Sequence, residues 1–188
     1  TLIGGSNNNT LIGGESKTSD SLTIDESNGD ALAGLGIDTV DYSGITNSVG
    51  IDANMNTGVE SDTASMQVGQ VSYNASSVDN LYGIENIRAT KNDDNIAGDT
   101  DDNVNNVFEG MGGSDTISGG SGNDTIYGAK NDDDLNTSDK ADVLSGGTGD
   151  DTLYGQTGDD TLSGDTGNDE LFGGANNDTV DYSYLDST

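Results

Sequence analysis

The sequence predicts an all-β fold, a solenoid of short parallel strands, and three observations carry this prediction. The first is a nine-residue period that runs from Gly110 to Asp181 without insertion or deletion. The second is the order within each row, where turn-forming glycine is followed by an acidic residue and then an aliphatic one. The third is that no segment sustains the 3.6-residue periodicity of an amphipathic helix. Self-similarity at a short fixed period is typical of solenoid architectures.

Eight rows of nine residues make up the repeat region. They begin at Gly110, Gly119, Gly128, Thr137, Gly146, Gly155, Gly164 and Gly173. Position six is always Asp: Asp115, Asp124, Asp133, Asp142, Asp151, Asp160, Asp169 and Asp178. Position eight is always aliphatic: Ile117, Ile126, Leu135, Leu144, Leu153, Leu162, Leu171 and Val180.

Each position in a row has a physical role. Glycine dominates positions one, two and four, where it permits the positive φ of a tight turn and leaves carbonyl groups accessible. The Asp at position six places a hard oxygen donor at the end of that turn. Carboxylate and carbonyl oxygens, without nitrogen or sulfur, are the ligands that Ca²⁺ prefers. Positions seven to nine predict a very short strand whose middle side chain points inward.

Two rows are expected to complete one coil, so that residues 18 apart lie one above another. This stacking predicts one edge made of Asp115, Asp133, Asp151 and Asp169, and another made of Asp124, Asp142, Asp160 and Asp178. Carboxylates stacked at the ~4.8 Å spacing of neighbouring strands repel each other. A divalent cation between successive turns converts that repulsion into ligation, and three gaps on each edge predict about six ions or more.

The composition indicates that the chain needs bound cations in order to fold. Its 35 acidic and 5 basic residues give a formal net charge of −30, and only 29% of its residues are hydrophobic. These values are typical of disorder unless something outside the polypeptide neutralises the carboxylates. The fixed register favours neutralisation over a flexible acidic linker. The negative field argues against nucleic acid as a partner, and no apolar run reaches the ~20 residues of a transmembrane segment.

Cysteine and histidine are both absent from the sequence. Disulfides and thiolate metal sites are therefore excluded, and the commonest general base is missing. The carboxylates repeat identically along an edge and predict no distinct catalytic pocket. We interpret the chain as a binding and structural module and not an enzyme.

The pattern Gly-Gly-x-Gly-x-Asp-x-U-x, where U is a large aliphatic residue, is most complete in the rows from Gly119 and Gly146. It resembles the calcium-binding nonapeptide repeat of RTX (repeats-in-toxin, haemolysin-type) proteins, and the resemblance covers residues 89–181. It implies a right-handed parallel β-roll with Ca²⁺ between turns, in proteins exported by bacterial type I secretion. The implied ligands are the position-six aspartates and turn carbonyls around Gly119, Gly122, Gly146, Gly149, Gly155, Gly158, Gly164 and Gly167.

The row from Thr137 to Ser145 departs from this pattern. It has lost every turn glycine, and Lys130 and Lys140 lie in the same stretch. We expect weaker or altered calcium sites there.

The rest of the chain is interpreted as four further features around the roll at 89–181. Residues 1–41 hold degenerate rows with a looped insertion at 15–32, and residues 42–88 form a non-repeat, hairpin-like β segment. Asp94 and Asp38 occupy the acidic position of degenerate rows and are additional candidate ligands. The hexapeptide at 38–43, Asp-Thr-Val-Asp-Tyr-Ser, recurs at 178–183. Residues 182–188 are therefore read as the start of a further unit or a tail.

The function predicted is a calcium-binding structural module of a secreted bacterial surface protein, either a surface-layer protein or an adhesin. It would fold on Ca²⁺ binding outside the cell, with copies of itself or a cell-surface glycan as candidate partners. The alternative is the C-terminal secretion and folding module of an exoenzyme such as a protease, lipase or alginate epimerase. An ice-binding role ranks third, because Asp134, Val143 and Glu170 interrupt the outward threonine array.

One outward pair suggests a contact surface. Tyr154 and Phe172 are 18 residues apart and are expected to stack in adjacent coils. They predict a small exposed aromatic patch.

Overall fold

A computed structural model describes residues 39–44, 50–55, 84–100, 104–129 and 140–184, together with the backbone of five further strands at 2–3, 10–12, 59–60, 66–74 and 77–82. Asp38, Asp133 and the expected looped insertion at 15–32 lie outside the described residues.

The described residues form strands and no α-helix. The N-terminal strands are β1 Leu2–Ile3, β2 Thr10–Ile12, β3 Thr39–Asp41, β4 Asp52–Asn54, β5 Val59–Glu60, β6 Met66–Asn74, β7 Ser77–Tyr82 and β8 Asn86–Arg88. The repeat strands are β9 Asn95–Ala97, β10 Val107–Met111, β11 Thr116–Ser121, β12 Thr125–Ala129, β13 Val143–Thr148, β14 Thr152–Thr157, β15 Thr161–Thr166, β16 Glu170–Ala175 and β17 Thr179–Val180. None of the described residues belongs to a helix long and apolar enough to cross a membrane.

Two sheets divide these strands between them. The ten-stranded sheet has the order β1-β7-β6-β4-β9-β11-β13-β15-β17, with β5 on β6, and the seven-stranded sheet has the order β16-β14-β12-β10-β8-β3-β2. From β8 onward, successive strands alternate between the sheets, and every pairing among them is parallel. The predicted all-β parallel β-roll is confirmed.

The core is two columns of single inward side chains, one from each sheet. The ten-stranded sheet supplies Ala53, Ile96, Ile117, Leu144 and Leu162, and the seven-stranded sheet supplies Val40, Ile87, Phe108, Ile126 and Leu153. Each is buried and lies in register with its neighbours on adjacent strands. Because each of these strands contributes one large apolar side chain to the interior, the roll has a thin core, and its turns must supply further stabilisation.

The repeat offset is 18 residues in most of the roll, as expected. Val107 pairs with Thr125, Thr152 with Glu170, and Val143 with Thr161. Upstream, Asn95 pairs with Thr116, an offset of 21, because the row that begins at Gly98 carries three extra residues.

The middle of the roll contradicts the predicted stacking. Strand β11 pairs directly with β13, and β12 with β14, at offsets of 27 residues. Asp115 therefore lies next to Asp142, and Asp124 next to Asp151. The predicted columns, which placed Asp133 between Asp115 and Asp151, are wrong because one whole row is passed over at this point.

The rows from Gly128 and Thr137 act as a single row. A position-one glycine normally lies beside the carboxylate of the Asp five residues later, as Gly119 lies beside Asp124. Gly128 lies beside the carboxylate of Asp142 instead. The glycine of one sequence row therefore lies beside the aspartate of the next.

Loss of glycine at both turn positions favours this fusion. In the six regular rows, positions two and four have positive φ, for example +100° at Gly120 and +125° at Gly122. The two fused rows carry Ala129, Asn131, Ser138 and Lys140 at those positions. Ala, Ser and Lys are strained in left-handed conformations, so two regular turns in succession are disfavoured here.

The non-repeat segment joins the roll through β4. This strand is parallel to β9 on one side and antiparallel to β6 on the other, and β6 is antiparallel to both β5 and β7. The antiparallel strands thus extend the ten-stranded sheet.

The outer surface of the seven-stranded sheet carries a ladder of three aromatic rings. Tyr154 stacks on Phe172 with ring centroids 4.8 Å apart, as expected, and on Tyr127 at 4.9 Å. Tyr127 joins the ladder only because of the 27-residue offset. In the same outward column, Arg88 forms ion pairs with Glu109 at 2.6 Å and with Asp41 at 3.5 Å.

Deletion of residues 130–138 tests the fused row. The deletion joins Ala129 to Asp139 and restores an 18-residue offset between Asp115 and Asp142. We expect the roll to fold with the same calcium midpoint by circular dichroism, and its free energy of unfolding to change by less than about 1 kcal/mol, because none of the deleted residues takes part in the pairing of β11 with β13 or of β12 with β14.

Deletion of residues 146–154 is the matched control, since it also removes nine residues but takes Asp151 and half each of β13 and β14 with them. We expect this control to bind fewer ions and to melt at a lower temperature. Equal damage from both deletions would contradict the fused row.

Candidate metal centre along the roll edges

Two columns of acidic side chains follow the edges where the chain passes between sheets. The first edge contains the turns that lead into the ten-stranded sheet, and the second edge contains those that lead into the seven-stranded sheet. The first edge holds Asp94, Asp115, Asp142, Asp160 and Asp178. The second edge holds Asn106, Asp124, Asp151 and Asp169.

One oxygen of each aspartate links adjacent turns. The main-chain N–H of Asp115 donates to Oδ1 of Asp142 at 2.8 Å, and that of Asp142 donates to Oδ1 of Asp160 at 2.9 Å. On the second edge, the N–H of Asp124 donates to Oδ1 of Asp151 at 2.7 Å. Oδ1 therefore serves to hold adjacent turns together.

The second oxygen is buried without a protein donor. Asp124 and Asp151 are each only 1% exposed. The Oδ2 atom of both is inaccessible to solvent and has no hydrogen-bond partner. The same atom is in this state in Asp115, Asp142 and Asp160. A buried carboxylate oxygen without a donor is strongly unfavourable unless a cation lies against it.

Glycine at position one creates the space beside this oxygen. A Cβ atom on Gly119 would collide with Oδ2 of Asp124, and a Cβ on Gly146 would collide with Oδ2 of Asp151. The sequence prediction assigned positive φ to position one as well as to two and four. Positive φ occurs at positions two and four, whereas position one is glycine because the carboxylate needs room.

Turn carbonyls complete the set of oxygen atoms. The carbonyl oxygen of Gly149 occupies the place of a Cβ atom on Gly167 in the next turn, and the carbonyl oxygen of Gly122 occupies the place of a Cβ atom on Gly149. Within the described part of the chain, no three acidic side chains converge on one point. A cation at an edge would therefore be held by position-six carboxylates from adjacent turns together with backbone carbonyls. This all-oxygen set fits Ca²⁺ and excludes thiolate or imidazole chemistry.

Asp94 differs from the other acidic residues of its column. Its carboxylate accepts hydrogen bonds from the N–H of Ile51 and from the N–H of Thr90, the latter at 2.8 Å, and also from the Thr90 hydroxyl. The Asp94 carboxylate therefore has protein hydrogen-bond donors, which Oδ2 of Asp124 and Asp151 lacks in the glycine-rich turns. Its role as a calcium ligand stays a prediction.

A second column, at position five, was not predicted. On the second edge, Oδ1 of Asn105 accepts the N–H of Asn123, Oδ1 of Asn123 accepts the N–H of Asp150, and Oδ1 of Asp150 accepts the N–H of Asn168, at 2.9–3.1 Å. The sequence carries the signal, because six of the eight rows have Asn or Asp at position five. These side chains bond forward along the chain, whereas those at position six bond backward.

Burial changes the acidity of the carboxylates on the edges. It raises the pKa of Asp124 to about 6, and the neighbouring carboxylate of Asp151 adds to the rise. The pKa of Asp151 is also raised, first by burial. At the surface, an ion pair with Lys140 at 2.7 Å lowers the pKa of Asp93.

Replacement of Gly119 or Gly146 by alanine tests the space beside Oδ2. The added methyl group must displace a carboxylate oxygen, so we expect the calcium midpoint to rise and the calcium-bound roll to lose about 1–3 kcal/mol of unfolding free energy. Equilibrium denaturation in excess calcium measures the loss. Gly44→Ala is the control, because no atom lies within 4 Å of the added Cβ there. Equal effects at Gly44 and Gly119 would contradict this account.

The pKa of Asp124 predicts how pH acts on folding. Because the pKa rises from 3.8 in the unfolded chain to about 6 in the roll, folding without calcium takes up protons. The resulting stabilisation is complete below about pH 3.8 and is lost as the pH rises through 6. We expect circular dichroism in chelator to show more β structure at pH 4.5 than at pH 7.5. Protons also compete with calcium, so the calcium midpoint should be higher at pH 5.5 than at pH 7.5. A midpoint that is constant over this range would rule out titrating ligands.

Comparison with known proteins agrees with the geometry. The profile of the RTX calcium-binding nonapeptide repeat matches four times, at residues 1–16, 103–135, 130–162 and 154–183, which together span just over half of the chain. No curated protein matches the sequence. RTX repeats bind Ca²⁺ and are typical of secreted bacterial proteins. The repeat match, the parallel β-roll and the buried oxygen-lined edges agree, and the chain belongs to the RTX calcium-binding nonapeptide repeat family.

Proposed function

We propose that this chain is a calcium-gated structural module of a secreted bacterial surface protein, of the surface-layer or adhesin type, exported by type I secretion. The observation that carries the proposal is the buried Oδ2 of Asp124 and Asp151, which has no protein donor. An extracellular cation supplies the positive charge that these buried oxygen atoms lack. Binding free energy then becomes folding free energy.

Ion supply acts as the switch. In a calcium-poor cytosol, stacked carboxylates repel each other and the roll's thin core does not offset the loss of chain entropy. The chain then stays extended and is suited to passage through a secretion channel. Outside the cell, binding of calcium to the folded state alone shifts the equilibrium by mass action.

The two columns support a count of about six ions. The first edge has four intervals between consecutive position-six aspartates, and the second edge has two. One ion in each interval would be held by carboxylates of two adjacent turns, with backbone carbonyls as further ligands. This distribution differs from the even division between edges that the 18-residue stacking implied.

The outer surface is consistent with a role in a larger assembly. The seven-stranded sheet presents the ring ladder that ends at Phe172, which is exposed. We assign this surface to contacts with copies of the chain or with a cell-surface glycan. Calcium binds elsewhere, at the two edges of the roll.

Calcium titration of the chain by far-UV circular dichroism tests the proposal. We expect a cooperative coil-to-β transition with Ca²⁺ and none with the same concentration of Mg²⁺, which demands a smaller octahedral site and dehydrates reluctantly. Cooperativity follows because each turn contacts only its neighbours. A chain already folded in chelator, or one that stays unfolded at millimolar calcium, would refute the switch.

A pair of adjacent residues controls for charge. Asp151→Asn removes a buried ligand, and Asp150→Asn removes the same charge from the exposed position-five column while keeping the oxygen that accepts the N–H of Asn168. We expect the calcium midpoint to rise several-fold for Asp151→Asn and to change little for Asp150→Asn. Calorimetry should also find fewer ions bound by the first variant only.

A further inference from the structure

Asn106 stands where the other described turns of the second edge carry an aspartate. Its row has three extra residues, yet Asn106 takes the place of position six, since its N–H donates to Oδ1 of Asp124 at 2.8 Å. Asn106 is 4% exposed, and its own Oδ1 is sealed from solvent and has no hydrogen-bond partner. Oδ2 of Asp124 and Asp151 is in the same state. Like these aspartates, Asn106 therefore contributes a buried oxygen atom to which no protein group donates.

The preceding turn fixes the orientation of the Asn106 amide. In regular turns, the N–H at position seven donates to the carbonyl at position six one turn earlier. Here the N–H of Val107 donates to the side chain of Asn86 instead, at 2.7 Å. The carbonyl of Glu85 accepts Nδ2 of Asn106 at 2.5 Å. Rotating the amide would set two oxygen atoms against each other, so Oδ1 must face away from Glu85. An aspartate here would set an oxygen atom against the same carbonyl, which explains why the row carries asparagine.

The turn that contains Asn106 also supplies backbone carbonyls in the same places as a regular turn. The carbonyl oxygen of Asp99 occupies the place of a Cβ atom on Gly120. The carbonyl oxygen of Val104 occupies the place of a Cβ atom on Gly122. Gly120 and Gly122 have the same relation to the glycines at positions two and four of the following turn. The three extra residues therefore leave the carbonyl pattern of this edge unbroken at both positions.

We propose that a calcium ion lies between the turn that contains Asn106 and the turn that contains Asp124, with Oδ1 of Asn106 as a neutral ligand. This site deepens the proposed function and rests on it, because calcium is taken as the ion of the edges. The remaining ligands would be the Asp124 carboxylate and backbone carbonyls, an all-oxygen set that suits Ca²⁺. With one ion in each interval, the second edge would hold about three ions and the whole roll about seven.

This site should be the weakest on the second edge. Calcium affinity falls as the number of charged ligands in a site falls. Position six supplies one carboxylate to the interval at Asn106, whereas it supplies two to the interval between Asp124 and Asp151. We therefore expect the ion at Asn106 to bind after the rest of the roll has folded, at a calcium concentration several-fold higher.

Ion counting on matched variants tests the site. Asn106→Ala removes the buried oxygen, and Asn105→Ala removes the exposed amide of the neighbouring position-five column. At the lowest calcium concentration that saturates the wild-type chain, equilibrium dialysis of the full chain should find one bound ion fewer for Asn106→Ala and no change for Asn105→Ala. Asn106→Asp supplies an oxygen ligand and should keep the ion, although it loses the donor to Glu85. Circular dichroism checks that each variant folds.

Nuclear magnetic resonance of the wild-type chain provides a second measurement that needs no folded variant. Once the folding transition is complete, further calcium should shift the side-chain amide resonances of Asn106 by more than those of Asn105. A water molecule bound to Oδ1 of Asn106 would satisfy the buried oxygen without calcium. In that case neither set of resonances would shift, and the site would be overturned.

The outcomes separate this site from the proposed function. If Asn106→Ala keeps the wild-type ion count while Asp151→Asn loses an ion, the Asn106 site is wrong and the calcium switch stands. If the wild-type chain binds no calcium, both are wrong. Loss of an ion from Asn105→Ala would also contradict the site, because that side chain lies in the exposed column. If Asn106→Ala does not fold, the resonances of the wild-type chain decide.

Discussion

The position-six aspartate is the residue on which the roll depends, because it performs two opposed tasks. Its Oδ1 accepts a main-chain N–H from the preceding turn and so joins adjacent coils, as Asp151 does for Asp124. This bond fixes the carboxylate inside the edge, where Oδ2 of Asp124 and Asp151 is sealed from water without a donor. The hydrogen bond that builds the fold thus creates the need for a cation.

The glycine pattern follows from the same carboxylate. Position one needs glycine because Oδ2 lies against it, as at Gly119. Positions two and four need positive φ so that the chain can cross the edge in one turn. Non-glycine residues do occur there, with φ of +79° at Gln156 and +85° at Asn176, so left-handed geometry is tolerated at some cost. At position one, any side chain would collide with the carboxylate, so substitution of this glycine is less tolerated than substitution at positions two and four.

The fused row shows that this architecture tolerates nine extra residues between two of its strands. In a solenoid each turn contacts only the turns before and after it, and the pairings that follow the nine extra residues are regular. The hydrogen bond from Asp115 to Asp142 is as short as those in regular coils. Where the turn glycines are absent, as beside Asp94, the Thr90 hydroxyl and main-chain N–H groups donate hydrogen bonds to the carboxylate.

The sequence alone determined the period, the inward aliphatic column and the all-oxygen chemistry of the edges, because these depend on residues within one row. It also placed Tyr154 over Phe172, since their rows are regular. Only the tertiary structure decided that Asp142 follows Asp115, that Gly128 serves Asp142, and that Tyr127 completes the ring ladder. The reason is that nine inserted residues leave the phase of every later row unchanged, so the periodic signal is identical whether a row forms a turn or is passed over. That choice depends on whether turn residues can adopt positive φ while packed against both neighbouring coils, and this packing is set by the assembled roll.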